Sequence, residues 1–278
     1  MNFNICIIQP EGYIHSMAFL ELAELINYSL IEIGHKSCIS CNKIEHQARN
    51  IIIGVHLLNT KEIPQIPIDT VILNTEQIFS DHTSWNSNIF NWAKKFETWD
   101  YSDRNIIKFE ELGAPKVKLL NIGYQPELRR IVKSDTQEID VLFYGSINDR
   151  RRKIIDELSK SGAKVKAVFG IYGKDRDELI SKSKIVLNLH HYKSEIFEIV
   201  RVFYLLTNSK AVVGEVNATT SVDNHIKSGI LPAKYEGLVS TCLELLSSPS
   251  KIKILEEIAH NSIIQFPQKI FTSKLLDS

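Results

Sequence analysis

Asp140-Val-Leu-Phe-Tyr-Gly145-Ser-Ile-Asn-Asp-Arg-Arg-Arg152 begins as an apolar run, breaks at a glycine and small polar residues, and leaves on three arginines. A short continuous apolar run bounded by a turn reads as a buried strand. The stretch from Asp149 to Lys160 then reads as a helix. Downstream the alternation repeats. Val165–Gly170 predicts a strand and Lys174–Lys182 a helix. Ile185–Leu189 predicts a strand, Glu195–Leu206 a helix and Ala211–Gly214 a strand, with helices near Glu236–Leu246 and Ser250–Ala259. Strands alternating with helices build a parallel α/β sheet.

A similar series lies upstream. Asn4–Gln9 is a strand that ends at Pro10-Glu11-Gly12, and an amphipathic helix runs from Ser16 to Ile33. Gly34 stops that helix as a C-cap glycine would. His35–Ser40, Asn50–His56 and Thr70–Asn74 are strand-like, and Trp85–Phe96 is aromatic and helical, its rings mostly core. Arg104–Phe109 and Lys116–Asn121 supply further short elements. A polar stretch at 124–139 separates the two series. The expected architecture is α/β, with two Rossmann-like domains facing across a cleft, an N-terminal domain at 1–130 and a C-terminal domain at 131–278.

The chain has 278 residues, with 33 basic and 33 acidic side chains. A nucleic-acid binder usually carries a basic excess, because phosphate neutralisation supplies most of its affinity, so no nucleic-acid partner is expected. Residues 1–130 carry 12 basic and 15 acidic side chains and the remainder 21 and 18, which places anion binding in the second half. Hydrophobic residues at 44% and charged residues at 24% exclude disorder. The first residues lack a signal-peptide pattern, and no apolar run approaches the ~20 residues of a membrane span. Four cysteines, Cys6, Cys38, Cys41 and Cys242, fit a reducing, cytoplasmic setting. Cys38-Ile-Ser-Cys41 has CxxC spacing and reads either as a redox pair or as two small strand or loop residues.

Three turns gather chemistry. At 143–152, small residues let backbone N–H groups approach a ligand, and a helix N-terminus with arginines can hold phosphate. Gly145, Ser146, Arg150 and Arg151 are the candidates. The alternative is a helix capped by Ser146, Asn148 or Asp149 with solvated arginines. At 188–201, His190, Glu195, Glu198 and Arg201 lie at a strand end running into a helix. The two glutamates would share one helix face, serving sugar or ribose hydroxyls or simply complementing the helix dipole. After the first strand, Glu11 and His15 offer a general base. His56 and the cluster Asn74-Thr-Glu76-Gln are further strand-end candidates. There is no P-loop, no GxGxxG after a strand, no GxSxG elbow and no HExxH zinc helix, so ATPase and simple dinucleotide-dehydrogenase readings lose support and no cofactor is expected, nor is a D-x-D triplet of the kind that metal-dependent single-domain sugar transferases use.

On these residues the chain resembles bacterial glycosyltransferases of the two-Rossmann (GT-B) fold, most clearly over 140–215. The strand ending Phe-Tyr-Gly-Ser looks like the nucleotide-sugar half-site of that fold. The run from Ser194 through Arg201-Val-Phe203-Tyr204 to Val213 is similar to the donor-binding segment of the spore-protein-like glycosyltransferases. There an R-x-F-E pattern ends in a ribose-binding glutamate, and here Tyr204 occupies that position, so Glu195 or Glu198 would substitute. The resemblance implies hexosyl transfer, without a metal, from a nucleotide-sugar co-substrate to a saccharide or glycolipid hydroxyl in bacterial surface-glycan or glycoconjugate synthesis. A lipid-linked acceptor would add peripheral membrane contact. It also implies diphosphate on Ser146, Arg150 and Arg151, donor sugar and nucleoside near Glu195, Glu198 and Arg201, and His15 or Glu11 as base. The same fold also serves nucleotide-sugar epimerases, phosphorylases and non-catalytic nucleotide binders.

Overall fold

Short runs of β-branched and aromatic residues become the inner strands of two separate parallel sheets. The structure is a computed structural model that describes residues 1–78, 84–114, 116–192 and 195–277, without the side chains of 60, 62, 64 and 84–86. The chain forms two compact units. The first comprises Met1–Ile122 with Gln268–Ser278, and the second Gly123–Pro267. The expectation was a single boundary at 130. The chain instead crosses twice, at 122/123 and again at 267/268.

The first unit contains β1 (Asn2–Ile7), α1 (Leu20–Glu32), β2 (Lys36–Cys41), β3 (Arg49–Ile53), β4 (Val71–Asn74), α2 (Ser84–Ala93), β5 (Glu97–Asp100), α3 (Asp103–Glu111) and β6 (Val117–Leu119). The strands lie in the order β2-β1-β3-β4-β5-β6, and every pairing is parallel. β3 and β4 are buried almost throughout, the continuous apolar pattern of a sheet covered on both faces. Gly34 closes α1 with φ of +89°. The expected helix from Ser16 begins instead as a 3-10 turn, Ile14–Phe19, because Ser16 turns its hydroxyl back to the Ile8 carbonyl at 2.6 Å. Cys38 and Cys41 fall three apart on β2, with no disulfide between them. Residues three apart on a strand point to opposite faces, which removes the redox-pair reading. Of the aromatic stretch, Phe90, Trp92, Phe96 and Trp99 are core, Tyr101 is half-buried, and the Trp85 side chain lies outside the described residues.

The second unit contains β7 (Ile139–Tyr144), α4 (Asp149–Lys160), β8 (Val165–Val168), α5 (Gly173–Ser181), β9 (Ser183–Asn188), α6 (Ile199–Thr207), β10 (Val212–Glu215), α7 (Asn224–Ser228), β11 (Leu231–Ala233), α8 (Leu238–Leu246) and α9 (Pro249–Ile264). Its sheet runs β11-β10-β9-β7-β8, again parallel throughout. Val141, Phe143, Ile185, Leu187 and Val213 form its core with Leu238 and Leu245 of α8. Both sheets reverse strand order once, between β1 and β3 and between β7 and β9. Ligands in open α/β sheets bind outside the carboxyl ends of strands at that point.

The last helix, α10 (Gln268–Asp277), returns to the first unit. Buried Thr272 meets Ser29 of α1 hydroxyl to hydroxyl at 2.8 Å, and Lys269 pairs with Glu32 at 2.6 Å. Gln268 donates to the Asn121 carbonyl at 3.1 Å. Deleting residues 268–278 would uncover α1 and remove buried Leu275, whose burial alone contributes about 1.5–3 kcal/mol. The expected result is a first unit destabilised by at least ~2 kcal/mol in urea, read by tryptophan fluorescence, because all three tryptophans lie at 85–99.

Candidate functional site

The second unit gathers its polar groups where β7, β9 and β10 end. Gly145 leaves β7 with φ of +139°, a region that L side chains rarely enter. A Cβ there would stand 2.9 Å from Nη2 of Arg201 and 3.6 Å from Nη1 of Arg151, so the glycine lets two guanidiniums close against the chain. Asn148, rather than Ser146 or Asp149, caps α4, its Oδ1 accepting from the Arg151 amide at 3.0 Å. Asn148 Nδ2 also donates to the His191 carbonyl at 2.8 Å, tying the β7 turn to the β9 turn. The Ser146 hydroxyl lies 3.3 Å from Nδ1 of His191.

Arg150, Arg151 and Arg201 are each held by a carboxylate, whereas Arg152 is exposed. Arg151, 2% exposed, donates to the carbonyls of Ser146 at 2.9 Å and Leu189 at 2.5 Å and pairs with Glu198. That is a role in holding strand ends together, not the phosphate fork expected of it. Arg201 pairs with the other oxygen of Glu198 at 2.7 Å and donates to Asn188 Oδ1 at 3.0 Å. Burial pushes the Glu198 carboxyl up, but Arg201 and Arg151 outweigh it and hold the group below the usual carboxylate range. Arg150 grips Glu215 with both Nη atoms and stacks over Tyr235, 4.0 Å from the ring centroid.

Glu215 was not singled out in the sequence. Fully buried at the end of β10, it accepts from Arg150, from the His190 amide at 3.1 Å and from Asn217 at 2.8 Å. Burial raises its pKa, but these donors prevail and hold it low. The signal was available: a carboxylate directly after the apolar Ala211-Val-Val-Gly214 must find cations at the sheet's carboxyl edge.

Glu195 and Glu198 do not share a helix face. α6 begins at Ile199 with Glu198 as its cap residue, and Glu195 has φ of +53°. Ile196 bridges to Ser221 and Phe197 is buried, so these apolar anchors fix the chain before the helix starts. Glu195 accepts from Asn217 at 2.8 Å and from the Thr219 hydroxyl at 2.5 Å. Lys193 and Ser194 of this loop lie outside the described residues. Tyr204 turns elsewhere: its hydroxyl donates to Asp177 at 2.7 Å and accepts from Arg130 at 3.0 Å. Burial and Asp177 push that phenol well above its usual range. Contrary to the expectation of no D-x-D triplet, Asp175-Arg176-Asp177 has that spacing, yet it lies within α5 and Asp177 is taken by Tyr204 and by Arg176 at 2.7 Å. No cluster of three or more His, Cys, Asp or Glu side chains suited to a metal ion occurs among the described residues.

Two buried polar atoms here have no hydrogen-bond partner among the described residues, Asn188 Nδ2 and His190 Nδ1. The other His190 nitrogen, Nε2, lies 3.2 Å from the Thr220 hydroxyl. Burial lowers the His190 pKa despite Glu215, Glu198 and Glu195. An unmet buried polar group costs about 1–3 kcal/mol, so a polar ligand meeting these atoms would recover it.

In the first unit, the strand ends bring together other residues than Glu11 and His15. Glu11 sits exposed in its turn, and His15 is half-buried with its ring 5.2 Å from that of Tyr13. His56 follows β3 and Glu76 follows β4, with His56 Nε2 3.7 Å from Glu76 Oε1. Burial lowers the His56 pKa to about 4 and raises that of Glu76 to about 7. Asp100, buried at the end of β5, is pushed up to about 7 by burial although Asn74, Ser102 and Asn105 donate to it.

No protein-family model matches the chain. It is similar to two uncharacterized proteins of Acanthamoeba polyphaga mimivirus. One, L140, is 30% identical over 196 residues, covering 68% of this chain and 63% of that protein. The other, L138, is 29% identical over 148 residues, covering 51% and 17%. The chain thus spans less than two thirds of the length of these curated relatives. Among solved structures it is similar to HepE of Anabaena in complex with UDP and glucose (TM-score 0.63, 13% identity, 100% of this chain and 98% of that one). It is similar too to T4 phage BGT with its UDP-glucose substrate (0.62, 13%, 100% and 99%). A third is WaaG, a glycosyltransferase involved in lipopolysaccharide biosynthesis (0.61, 12%, 99% and 98%). At such identities the likeness is one of fold. The chain has the two-Rossmann-domain α/β architecture of the GT-B glycosyltransferases.

Replacing Glu215 with Gln would set an amide NH2 against Arg150 and leave a cation without its partner, a loss of about 3 kcal/mol, expected as a lower urea midpoint by circular dichroism.

The two units should respond to pH in opposite directions. Folded Glu76 and Asp100 keep their protons to about pH 7, whereas in an unfolded chain they release them near ~4. Between those values the unfolded state binds fewer protons, so these groups lower stability as pH rises. Folded Glu198 and Glu215 lie below the usual range. Their contribution is present above about 4.3 and is lost as pH falls below it. The tryptophan-fluorescence midpoint of the first unit should therefore drop between pH 5 and 8.

Proposed function

We propose that this protein is a glycosyltransferase that moves a hexose from a nucleotide-sugar donor to a saccharide or glycolipid hydroxyl. The observation that carries this reading is the polar assembly at the β7, β9 and β10 ends, lying at the strand reversal of a fold shared along nearly its whole length with proteins solved holding UDP-glucose or its parts. Ser146, the first amides of α4 and the exposed edge of Arg150 would receive the diphosphate. A helix N-terminus and a cation there stabilise the charge that grows on the leaving group. Glu195, Glu198 and Arg201 would shape the sugar and nucleoside side. His190 and Asn188 bring the two unmet polar atoms. This arrangement supplies leaving-group stabilisation from protein groups, so we infer that transfer needs no metal ion.

The acceptor's proton would pass to a base, His15 or Glu11 in the reading of the sequence. No helix among the described residues is long and apolar enough to cross a membrane, so a glycolipid acceptor would be met at a membrane surface. The role in surface-glycan or glycoconjugate synthesis, in a cytoplasmic setting, belongs to this proposal. The curated relatives are viral, and the proposal is not confined to bacteria.

Calorimetry with UDP, GDP, ADP, dTDP and UDP-glucose tests the reading. At least one nucleoside diphosphate should bind, and Arg150→Gln should weaken it about tenfold, the order of one charge-assisted contact. Turnover of the donor should persist in EDTA. Failure of every nucleotide to bind would sink the proposal.

A further inference from the structure

The strand ends of the first unit hold a carboxylate whose setting suits a proton acceptor. The Glu76 main chain is fixed on both sides. Its amide donates to Asn74 Oδ1 at 3.2 Å, and its carbonyl accepts from Asn74 Nδ2 at 2.8 Å and Asn105 Nδ2 at 2.9 Å. Both asparagines are in turn held by buried Asp100, at 2.7 Å from Asn74 and 3.0 and 3.1 Å from Asn105. Asp100 also caps the next turn through the Ser102 amide at 2.7 Å. Three hydrogen bonds to two asparagines, themselves held by Asp100, thus fix the backbone that carries the Glu76 side chain.

The side chain itself is held loosely. Among the described residues its carboxylate meets the Thr75 hydroxyl at 3.5 Å and His56 Nε2 at 3.7 Å. One quarter of it is exposed, so the group is both poorly solvated and reachable. Among the described residues, the groups facing it are Tyr13 from the turn after β1, whose phenol burial and then the Glu76 charge push up, His56 from the turn after β3, and Asp100 through the asparagines. None of these is a cation at neutral pH, since burial keeps His56 uncharged above about 4. A carboxylate in such surroundings takes up a proton near neutral pH and is a far better base than a solvated one.

We propose that Glu76 is the catalytic base that accepts the acceptor hydroxyl's proton, in place of His15 and Glu11, with His56 and the Asp100–Asn74–Asn105 network positioning it. This rests on the transfer reaction proposed above. In that step the acceptor oxygen bonds to the anomeric carbon and its hydroxyl proton goes to a Glu76 oxygen. The bond from that carbon to the diphosphate oxygen breaks, and the electron pair leaves with the diphosphate.

The test is UDP-glucose hydrolysis, with water as the acceptor, followed against pH alongside UDP calorimetry. Wild-type kcat should rise through an apparent pKa near 7. Glu76→Gln should lower kcat about 100-fold or more, abolish that acid limb, and leave UDP affinity unchanged. Glu76→Asp should restore part of the rate with a limb, and His56→Gln should move the limb. UDP binding with full kcat or an unchanged limb in Glu76→Gln overturns this inference alone. Failure of UDP, GDP, ADP and dTDP alike to bind, or binding without turnover in wild type, overturns the transfer reading itself. Infrared titration gives a readout without activity: the difference between wild type and Glu76→Gln should contain a carboxylate band that appears near pH 7, since Asp100 contributes its own band to both. Its absence from that difference also overturns the assignment.

Discussion

One carboxylate shared by two guanidiniums organises the ligand end of the second unit. Glu198 gives one oxygen to Arg151 and the other to Arg201, and each arginine reaches a different piece of chain. Arg151 fastens the β7 turn to the end of β9, and Arg201 secures Asn188. Neither could approach so closely if residue 145 had a side chain. Glu215 and Arg150 repeat the device one strand over. Balanced charge lets three arginines occupy a strand-end region that buries them wholly or in part, a placement that would otherwise be costly.

The two units have opposite electrostatic characters at equivalent edges. In the second, carboxylates face guanidiniums and stay ionised. In the first, Glu76 and Asp100 face amides, a hydroxyl and a neutral imidazole, and burial dominates. The arrangement of the second unit suits holding a charged group in place, and that of the first unit suits exchanging a proton. Neutral overall composition, 33 against 33, contains both.

Apolar runs made most strands readable, because a strand buried on both faces must be apolar throughout. Val141–Phe143 and Ile51–Ile53 are such runs. β5 escaped, since Glu97-Thr-Trp-Asp100 has one large apolar side chain in four. α10 escaped for a different reason: its partners Ser29, Glu32 and Asn121 lie over 140 residues away, and nothing local marks it as part of the first unit. The candidate donor residues were found at turns, where glycine and polar clusters are visible. What each arginine does was not legible, because Glu198 and Glu215 reach them across 47 and 65 residues. The aromatic core followed from composition, whereas the left-handed turn at Glu195 followed from the tertiary anchoring of Ile196 and Phe197.

The late return of α10 has a bearing on how the molecule is made. A ribosome delivers the chain from its N-terminus, and domains generally fold as units while synthesis proceeds. The second unit is continuous from Gly123 to Pro267 and can close as soon as it emerges. The first unit, although most of it is synthesised earlier, must wait with α1 partly uncovered until its final helix arrives. Order of synthesis and order of completion are therefore reversed, and the half made first is the last to be finished.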